Sequence, residues 1–214
     1  MRVDFSGRGD SYAGGSAFFF CIDDDLVYTP FFKDFGPLNM AHTYRFCTEL
    51  EKLLKNKDYA ASKIIHYTSL DVAKRANAAY LMGAFQIIIL KKTAAEAWIP
   101  FEKIEGGFKP FRDASYTNCS YNCTIPDCLR GLEYAIKLGW FNIKTFNVKE
   151  YEFYEDVENG DLNWLVPGKF VAFCTPSSGQ GGKEQNLPPK EYVRIFKEQG
   201  VTADRKSTRL NSSH

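Results

Sequence analysis

His66 closes the β-type run SKIIHY (62–67) and stands just before a polar loop, Thr68-Ser69-Leu70-Asp71, that leads into a helical pattern. Such a strand–loop–helix junction is a place where anions bind, because free N–H groups and the positive end of the helix dipole meet there. Phosphoryl transfer through a thiolate would need a Cys in that turn and an Arg six positions further on to clamp the phosphate. The sixth residues after Cys21, Cys47, Cys119, Cys123, Cys128 and Cys174 are Val27, Leu53, Ile125, Leu129, Tyr134 and Gln180, so none of them is Arg. Tyr67 stands where the nucleophile belongs, and a phenol with a pKa of about 10 is a poor replacement for a thiolate. Residual catalysis through Tyr67 or Cys119 would lack the positioned positive charge that a phosphoryl transition state demands. His66 is therefore expected to be a hydrogen-bonded strand-end residue, and His42, near a helix start, a surface residue.

The acidic stretch 150–161 is the second candidate. It holds Glu150, Glu152, Glu155, Asp156, Glu158 and Asp161, with no Lys or Arg among them, and Tyr151, Tyr154 and Val157 fall between at helical spacing. One face can pack while the other presents carboxylates, either merely to solvent or as a groove for a basic peptide by charge complementarity. The remaining constellations are weaker. Cys119, Cys123 and Cys128 cluster, but no paired C-x-x-C and no nearby His complete a tetrahedral zinc set, so no metal is expected there. Asp23-Asp24-Asp25 reads as a solvated turn, since a calcium loop needs ligands at several fixed spacings. Arg8-Gly9-Asp10 and the sequons at Asn118 and Asn122 read as chance matches.

These residues need elements to position them. Residues 17–32 read as a hairpin, an aromatic run meeting the Asp triplet and a second β-rich run ending at Pro30. A helix is predicted over 39–55, with Asn39 as N-cap and Phe46, Leu50, Leu53 and Leu54 on one face. Another runs from about Val72 to Leu90, and its stripe of Ala76, Ala79, Tyr80, Gly83 and Ile87 predicts close packing against a sheet. Thr93-x-x-Glu96 is a capping box, with Pro100 ending the helix within two turns. Residues 105–123 read as a loop. Thr124 caps a further helix with Pro126 in its first turn and Gly139 at its end. Asn147-x-x-Glu150 starts another, stopped at Gly160. A Pro167-Gly168 turn joins two strand-like runs, and 190–199 reads as one short helix.

Composition bounds the rest. The 214 residues are 44% hydrophobic and 25% charged with a net charge of +1, which fits a folded chain with a sizeable core and gives no basic footprint for nucleic acid. No run approaches the roughly 18 to 20 apolar residues that span a bilayer. No apolar leader opens the chain, so the six Cys are expected as reduced thiols of an intracellular protein. Residues 1–16 are expected to be mobile, 175–189 to be a linker, and 203–214, without apolar periodicity, to be a non-native tail.

Five runs then carry a resemblance: TPFFKDFGPLNMAHTYRFC (29–47), KIIHYTSLDVAKRANAAYLMGAF (63–85), LKKTAAEAWIPF (90–101), KPFRDASYTNCSYNCTIPDCLRGLEYAIKLGW (109–140) and YEFYEDVENGDLNWLVPGKFVAF (151–173). Over residues 17–200 the chain resembles the N-terminal domain of the mitotic-exit dual-specificity protein phosphatases, the cell-division-cycle fourteen family. The resemblance implies an α/β fold, a mixed, mainly parallel sheet flanked by helices. It also implies a phosphatase-like but non-catalytic domain at 17–174 and the start of a catalytic domain at 190–202, the chain being truncated before the catalytic loop. Family activity is hydrolysis of phosphoserine and phosphothreonine before proline, and of phosphotyrosine, in cell-cycle proteins, without a cofactor. No catalytic residue can be carried over, so this chain by itself is expected to be inactive. Glu155, Glu158 and Asp161 match the stretch that lines the family's substrate groove, which favours basic residues after the proline. Pro100 and Asp156 depart from the family pattern. The implied partners are phosphoprotein substrates with Ser/Thr-Pro sites, the catalytic domain of the full-length chain and a second copy in a homodimer, but neither nucleic acid nor membrane. The implied places are nucleus, nucleolus, cytoplasm or spindle pole. The alternative is a stand-alone phosphoprotein-binding pseudophosphatase module; sequencing the transcript past Thr202 separates the two.

Overall fold

Ala17, Phe18 and Phe20 are all buried, so the strand that carries them is covered on both faces, as strands with a parallel neighbour usually are. This strand, β2 (Gly15–Phe20), pairs antiparallel with β1 (Arg8–Tyr12) and parallel with β3 (Lys63–His66). The computed structural model describes residues 7–12, 15–176 and 186–204. The chain divides into two units, Met1–Phe146 and Asn147–His214. Of the linker and tail expectations, 177–185 and 205–214 lie outside the described residues. Residues 8–12, within the stretch whose composition suggests mobility, form β1 through backbone pairing that composition does not encode.

The first unit is mixed α/β. After β2 the chain does not form the hairpin expected over 17–32. It turns at Asp23–Leu26, where the Leu26 N–H donates to the Ile22 carbonyl at 2.9 Å, and then runs irregularly to Asn39. The reason is local. Asp34 accepts from the Tyr28 hydroxyl at 2.6 Å and from the Phe31 and Phe32 N–H groups at 3.1 and 2.8 Å. A buried carboxylate thus supplies the bonds that a strand ladder would otherwise give. Helix α1 (Met40–Lys55) begins at Asn39, whose side chain accepts from the His42 N–H. It crosses over to β3 and buries Phe46, Cys47 and Leu50.

Helix α2 (Val72–Ile88) is buried nearly all round, which makes it the centre of the unit. A Cβ at Gly83 would lie 2.8 and 2.9 Å from the two Leu129 methyls. The small-residue stripe therefore admits a helix, α4 (Ile125–Lys137), rather than the sheet expected from the sequence. The expected capping box of Thr93 with Glu96 starts α3 (Ala94–Trp98), and Thr124, expected as a cap, closes a second box with Asp127 at the start of α4. Pro100 falls in a 3-10 turn directly after α3. Inside the region read as a loop, β4 (Phe111–Arg112) pairs antiparallel with β5 (Asn122–Cys123). Gly139 ends the α4 segment at φ 73°.

Three of the sequence runs meet in space. Asn77, buried on α2, accepts from the Leu38 N–H at 3.2 Å and donates its amide to the Phe35 carbonyl at 2.7 Å. It bridges the DFGPLN segment across the cis Gly36–Pro37 bond. A Cβ at Gly36 would lie 2.3 Å from the Asn77 side-chain oxygen and 2.7 Å from the Phe111 ring. The runs containing Gly36, Asn77 and Phe111 therefore form one packed junction.

The second unit is built on α5 (Val148–Glu155), the antiparallel hairpin β6 (Leu162–Val166) and β7 (Phe170–Phe173), and α6 (Pro189–Glu198). The hairpin turns at Pro167-Gly168, with Gly168 at φ 70°. Helix α6 lays Tyr192 and Phe196 against Phe173, with ring centroids 5.4 and 4.8 Å away. No helix among the described residues is long and apolar enough to cross a membrane.

Candidate functional site

The β3–loop–α2 junction has the outline of an anion cradle, but the chain's own carboxylates fill it. Asp71 caps α2, accepting from the Ala73 and Lys74 N–H groups at 2.9 Å each. Asp23, on the turn after β2, accepts from the Thr68 hydroxyl at 2.8 Å and from the Ser69 N–H at 2.9 Å. The Tyr67 N–H is taken by the Phe20 carbonyl at 3.0 Å. Burial by itself would raise the Asp23 carboxyl, but the Ser69 and Thr68 hydrogen bonds outweigh it and hold the group below the usual carboxylate range. An incoming phosphate would meet two negative charges already bonded to the donors it needs, and like charges repel. Tyr67 is half exposed beside this loop.

His66 is not the hydrogen-bonded strand-end residue expected. Its ring stacks on Phe20 at 4.8 Å and meets Phe46 at 5.3 Å, and its Nε2 is buried without a hydrogen-bond partner. The neighbouring strand β2, which carries Phe20, and α1, which carries Phe46, press the imidazole between aromatic rings, where the neutral form is favoured. Burial lowers its pKa to about 4, against a weaker upward pull from Asp23. His42 is half-buried on the first turn of α1 rather than on the surface.

The sign of the His66 effect on stability follows directly. The unfolded chain takes up the proton first, near pH 6.5, and the folded chain only near pH 4. Stability is thus fully present above pH 6.5 and is lost as pH falls toward 4. This one group should make the first unit about 2 kcal/mol less stable at pH 5 than at pH 8. Urea titrations at several pH values measure it, and His66→Phe, which keeps an aromatic ring on Phe20, should flatten the slope. An unchanged slope in that variant would show that other groups cause the acid sensitivity.

The acidic stretch lies in the second unit. Asn147 caps α5, accepting from the Glu150 N–H at 3.2 Å while its amide donates to the Glu150 carboxylate at 3.0 Å. Helix α5 ends at Glu155; Asp156 then caps a 3-10 turn over 157–159 by accepting from the Glu158 N–H at 2.9 Å. Gly160 (φ 118°) and Asp161 (φ 42°) reverse the chain into β6. The buried Tyr192 hydroxyl donates to the Gly160 carbonyl at 2.7 Å. The Gln199 amide donates to the Tyr154 hydroxyl at 2.8 Å, and its carbonyl accepts from the Trp164 indole at 3.3 Å. The acidic turn is thus held from behind by α6 and the residue that follows it.

Of the three carboxylates read as groove residues, Glu158 is exposed and Glu155 is partly exposed at the end of α5. Asp161 is half-buried and faces the Cys174 thiol, whose pKa is raised by burial and then by that neighbouring charge. Asp156 spends its carboxylate on the cap. The tyrosines do not make a buried stripe: Tyr151 and Tyr154 are partly exposed, and Phe153 is exposed. Among the described residues no group of three or more His, Cys, Asp or Glu is arranged to hold a metal ion.

The two carboxylates that fill the cradle are the residues missed in the sequence. Asp71 was findable, being an N-cap type directly before the helical run. Asp23 was not, because its partners lie 45 and 46 residues away.

The sequence matches a family model described as dual specificity protein phosphatase, N-terminal half, over residues 7–135. It is 49% identical over 191 residues to dual specificity protein phosphatase CDC14A of Homo sapiens, covering 86% of this chain and 32% of that protein. It is 40% identical over 180 residues to the tyrosine-protein phosphatase CDC14 homolog of Schizosaccharomyces pombe, covering 83% and 33%. Against tyrosine-protein phosphatase cdc-14 of Caenorhabditis elegans, identity is 36% over 208 residues, covering 92% and 28%. The chain spans about a third of the length of these curated relatives.

Proposed function

The chain belongs to the CDC14 dual specificity protein phosphatases, as an N-terminal half, and from that premise we propose that it is the non-catalytic, substrate-recognising part of a phosphatase acting on phosphoserine/threonine-proline and phosphotyrosine. The observation that carries this reading is the filled cradle. Tyr67 occupies the nucleophile position, and the Asp23 and Asp71 carboxylates hold the N–H donors of Ser69, Ala73 and Lys74. Such a loop keeps the shape of a phosphate site and cannot do its chemistry. Attack through a thiolate with an Arg clamp then falls to a separate catalytic domain, with residues 190–202 as its first part. Glu155, Glu158 and Asp161 supply negative charge for basic residues that follow the proline of a substrate. Glu158, the most open of the three, is the strongest contributor, while Asp161 acts mainly by holding the turn against Cys174.

The experiment uses the 214-residue chain. It should not turn over para-nitrophenyl phosphate, and should bind a labelled Ser(P)-Pro-x-Lys peptide weakly and less well as salt rises. Glu158→Lys should weaken that binding by about three- to tenfold, consistent with an exposed charge contact of roughly 1 kcal/mol, and leave a Ser(P)-Pro-x-Ala peptide unaffected. Turnover that disappears in a Cys→Ser variant would overturn the non-catalytic reading. Equal weakening for both peptides would remove the acidic turn from recognition.

A further inference from the structure

Cys119, Cys123 and Cys128 lack the partners of a metal site, yet two of them come together in the structure. Cys123 is the last residue of β5 and immediately precedes Thr124, the N-cap of α4. Cys128 lies on the first turn of that helix. Between them runs the capping box: the Thr124 N–H donates to the Asp127 carboxylate at 2.9 Å, and the Asp127 N–H donates to the Thr124 hydroxyl at 3.3 Å. Residues that flank a capping box in this way commonly touch as a hydrophobic staple. Here both staple positions are cysteine, and their Sγ atoms are 3.4 Å apart.

That separation exceeds a disulfide bond by about 1.4 Å. The gap is small enough for side-chain rotation with little backbone movement. The capping box and the β4–β5 pairing, in which Cys123 lies opposite Phe111, fix both backbones. Both residues are only partly buried, so a small oxidant has access. Cys47, by contrast, is fully buried in the core, and the Cys119 thiol donates to the Tyr121 carbonyl at 2.9 Å. Burial pushes the Cys128 thiol up.

We propose that Cys123 and Cys128 are a reversible redox pair that closes to a disulfide on exposure to a peroxide, locking the β5–α4 junction. The sulfur of the Cys123 thiol attacks one peroxide oxygen, the O–O bond breaks, and the departing hydroxide takes the thiol proton, giving a sulfenic acid and one water. The Cys128 sulfur then attacks the Cys123 sulfur. The S–S bond forms, and the hydroxyl leaves as a second water with the Cys128 proton. Two thiols and one hydrogen peroxide become one disulfide and two waters, and a dithiol reductant reverses the change.

The test is differential alkylation of the unmutated 214-residue chain before and after brief, low-dose hydrogen peroxide, read by intact mass and peptide mapping. Expected are a fall from six reactive thiols to four under denaturing alkylation, a loss of two mass units, and a cross-linked peptide joining Cys123 to Cys128. Dithiothreitol should restore all three readouts. Cys128→Ser should lose the cross-link and instead accumulate oxygen adducts on Cys123. Cys119→Ser should form the link as before. A link from Cys119 to Cys123, or higher oxides on Cys123 of the unmutated chain with no cross-link, would overturn the proposal.

Discussion

Replacing Asn77 by Ala is expected to destabilise the first unit by about 2–5 kcal/mol. The side chain is buried and uses both ends, its oxygen on the Leu38 N–H and its amide on the Phe35 carbonyl. Truncation strands both backbone groups in a dry junction, and each buried unsatisfied group costs about 1–3 kcal/mol. The loss extends beyond the junction. The DFGPLN segment leads straight into Asn39, the cap of α1, and α1 carries the Phe46 ring that covers His66. Urea unfolding of the chain should shift to lower denaturant. Hydrogen exchange should speed up first across residues 35–46, ahead of the rest of the unit. A variant with wild-type exchange in that segment would mean that the amide is not what holds it.

Tyr192→Ala is expected to cost the second unit about 3–5 kcal/mol, the range for losing a buried aromatic ring. Tyr192 is 2% exposed; its ring packs on Phe173 and Phe196 and its hydroxyl donates to the Gly160 carbonyl. That carbonyl sits in the turn between Glu158 and Asp161, so the variant should loosen the acidic turn as well as the core. Tyr192→Phe separates the two effects. It keeps the ring and removes one hydrogen bond, and should cost about 1–2 kcal/mol while raising exchange mainly at residues 158–162. Melting of the second unit can be followed through the amides of β6 and β7, apart from the first unit. If Tyr192→Ala leaves those amides as protected as in the parent chain, α6 does not hold the hairpin.

The local features followed from residue types along the chain. Asn39, Thr93 and Thr124 cap helices as their residue types demand, because a cap is a bond between neighbours only two or three residues apart. The Pro167-Gly168 turn and the left-handed Gly139 and Gly160 are equally local, set by which backbone angles a residue can adopt. The helical stretch around Phe46 followed from apolar spacing, and the family followed from runs such as DFGPLN and KRANAA.

What those runs do depends on segments far apart in the chain. The Gly36–Asn77–Phe111 junction joins three segments that nothing in a linear reading connects. The partner of Gly83 proved to be Leu129 on a helix rather than a sheet, because a small residue signals close approach without saying what approaches. Asp23 was visible as one of three acidic residues on a turn, but its place inside the Thr68–Ser69 loop depends on β2 and β3 lying side by side. The same adjacency buries the His66 imidazole between Phe20 and Phe46 and lowers its pKa. Burial and charge are properties of what surrounds a group in space, and the chain sets that environment only when distant segments close around it.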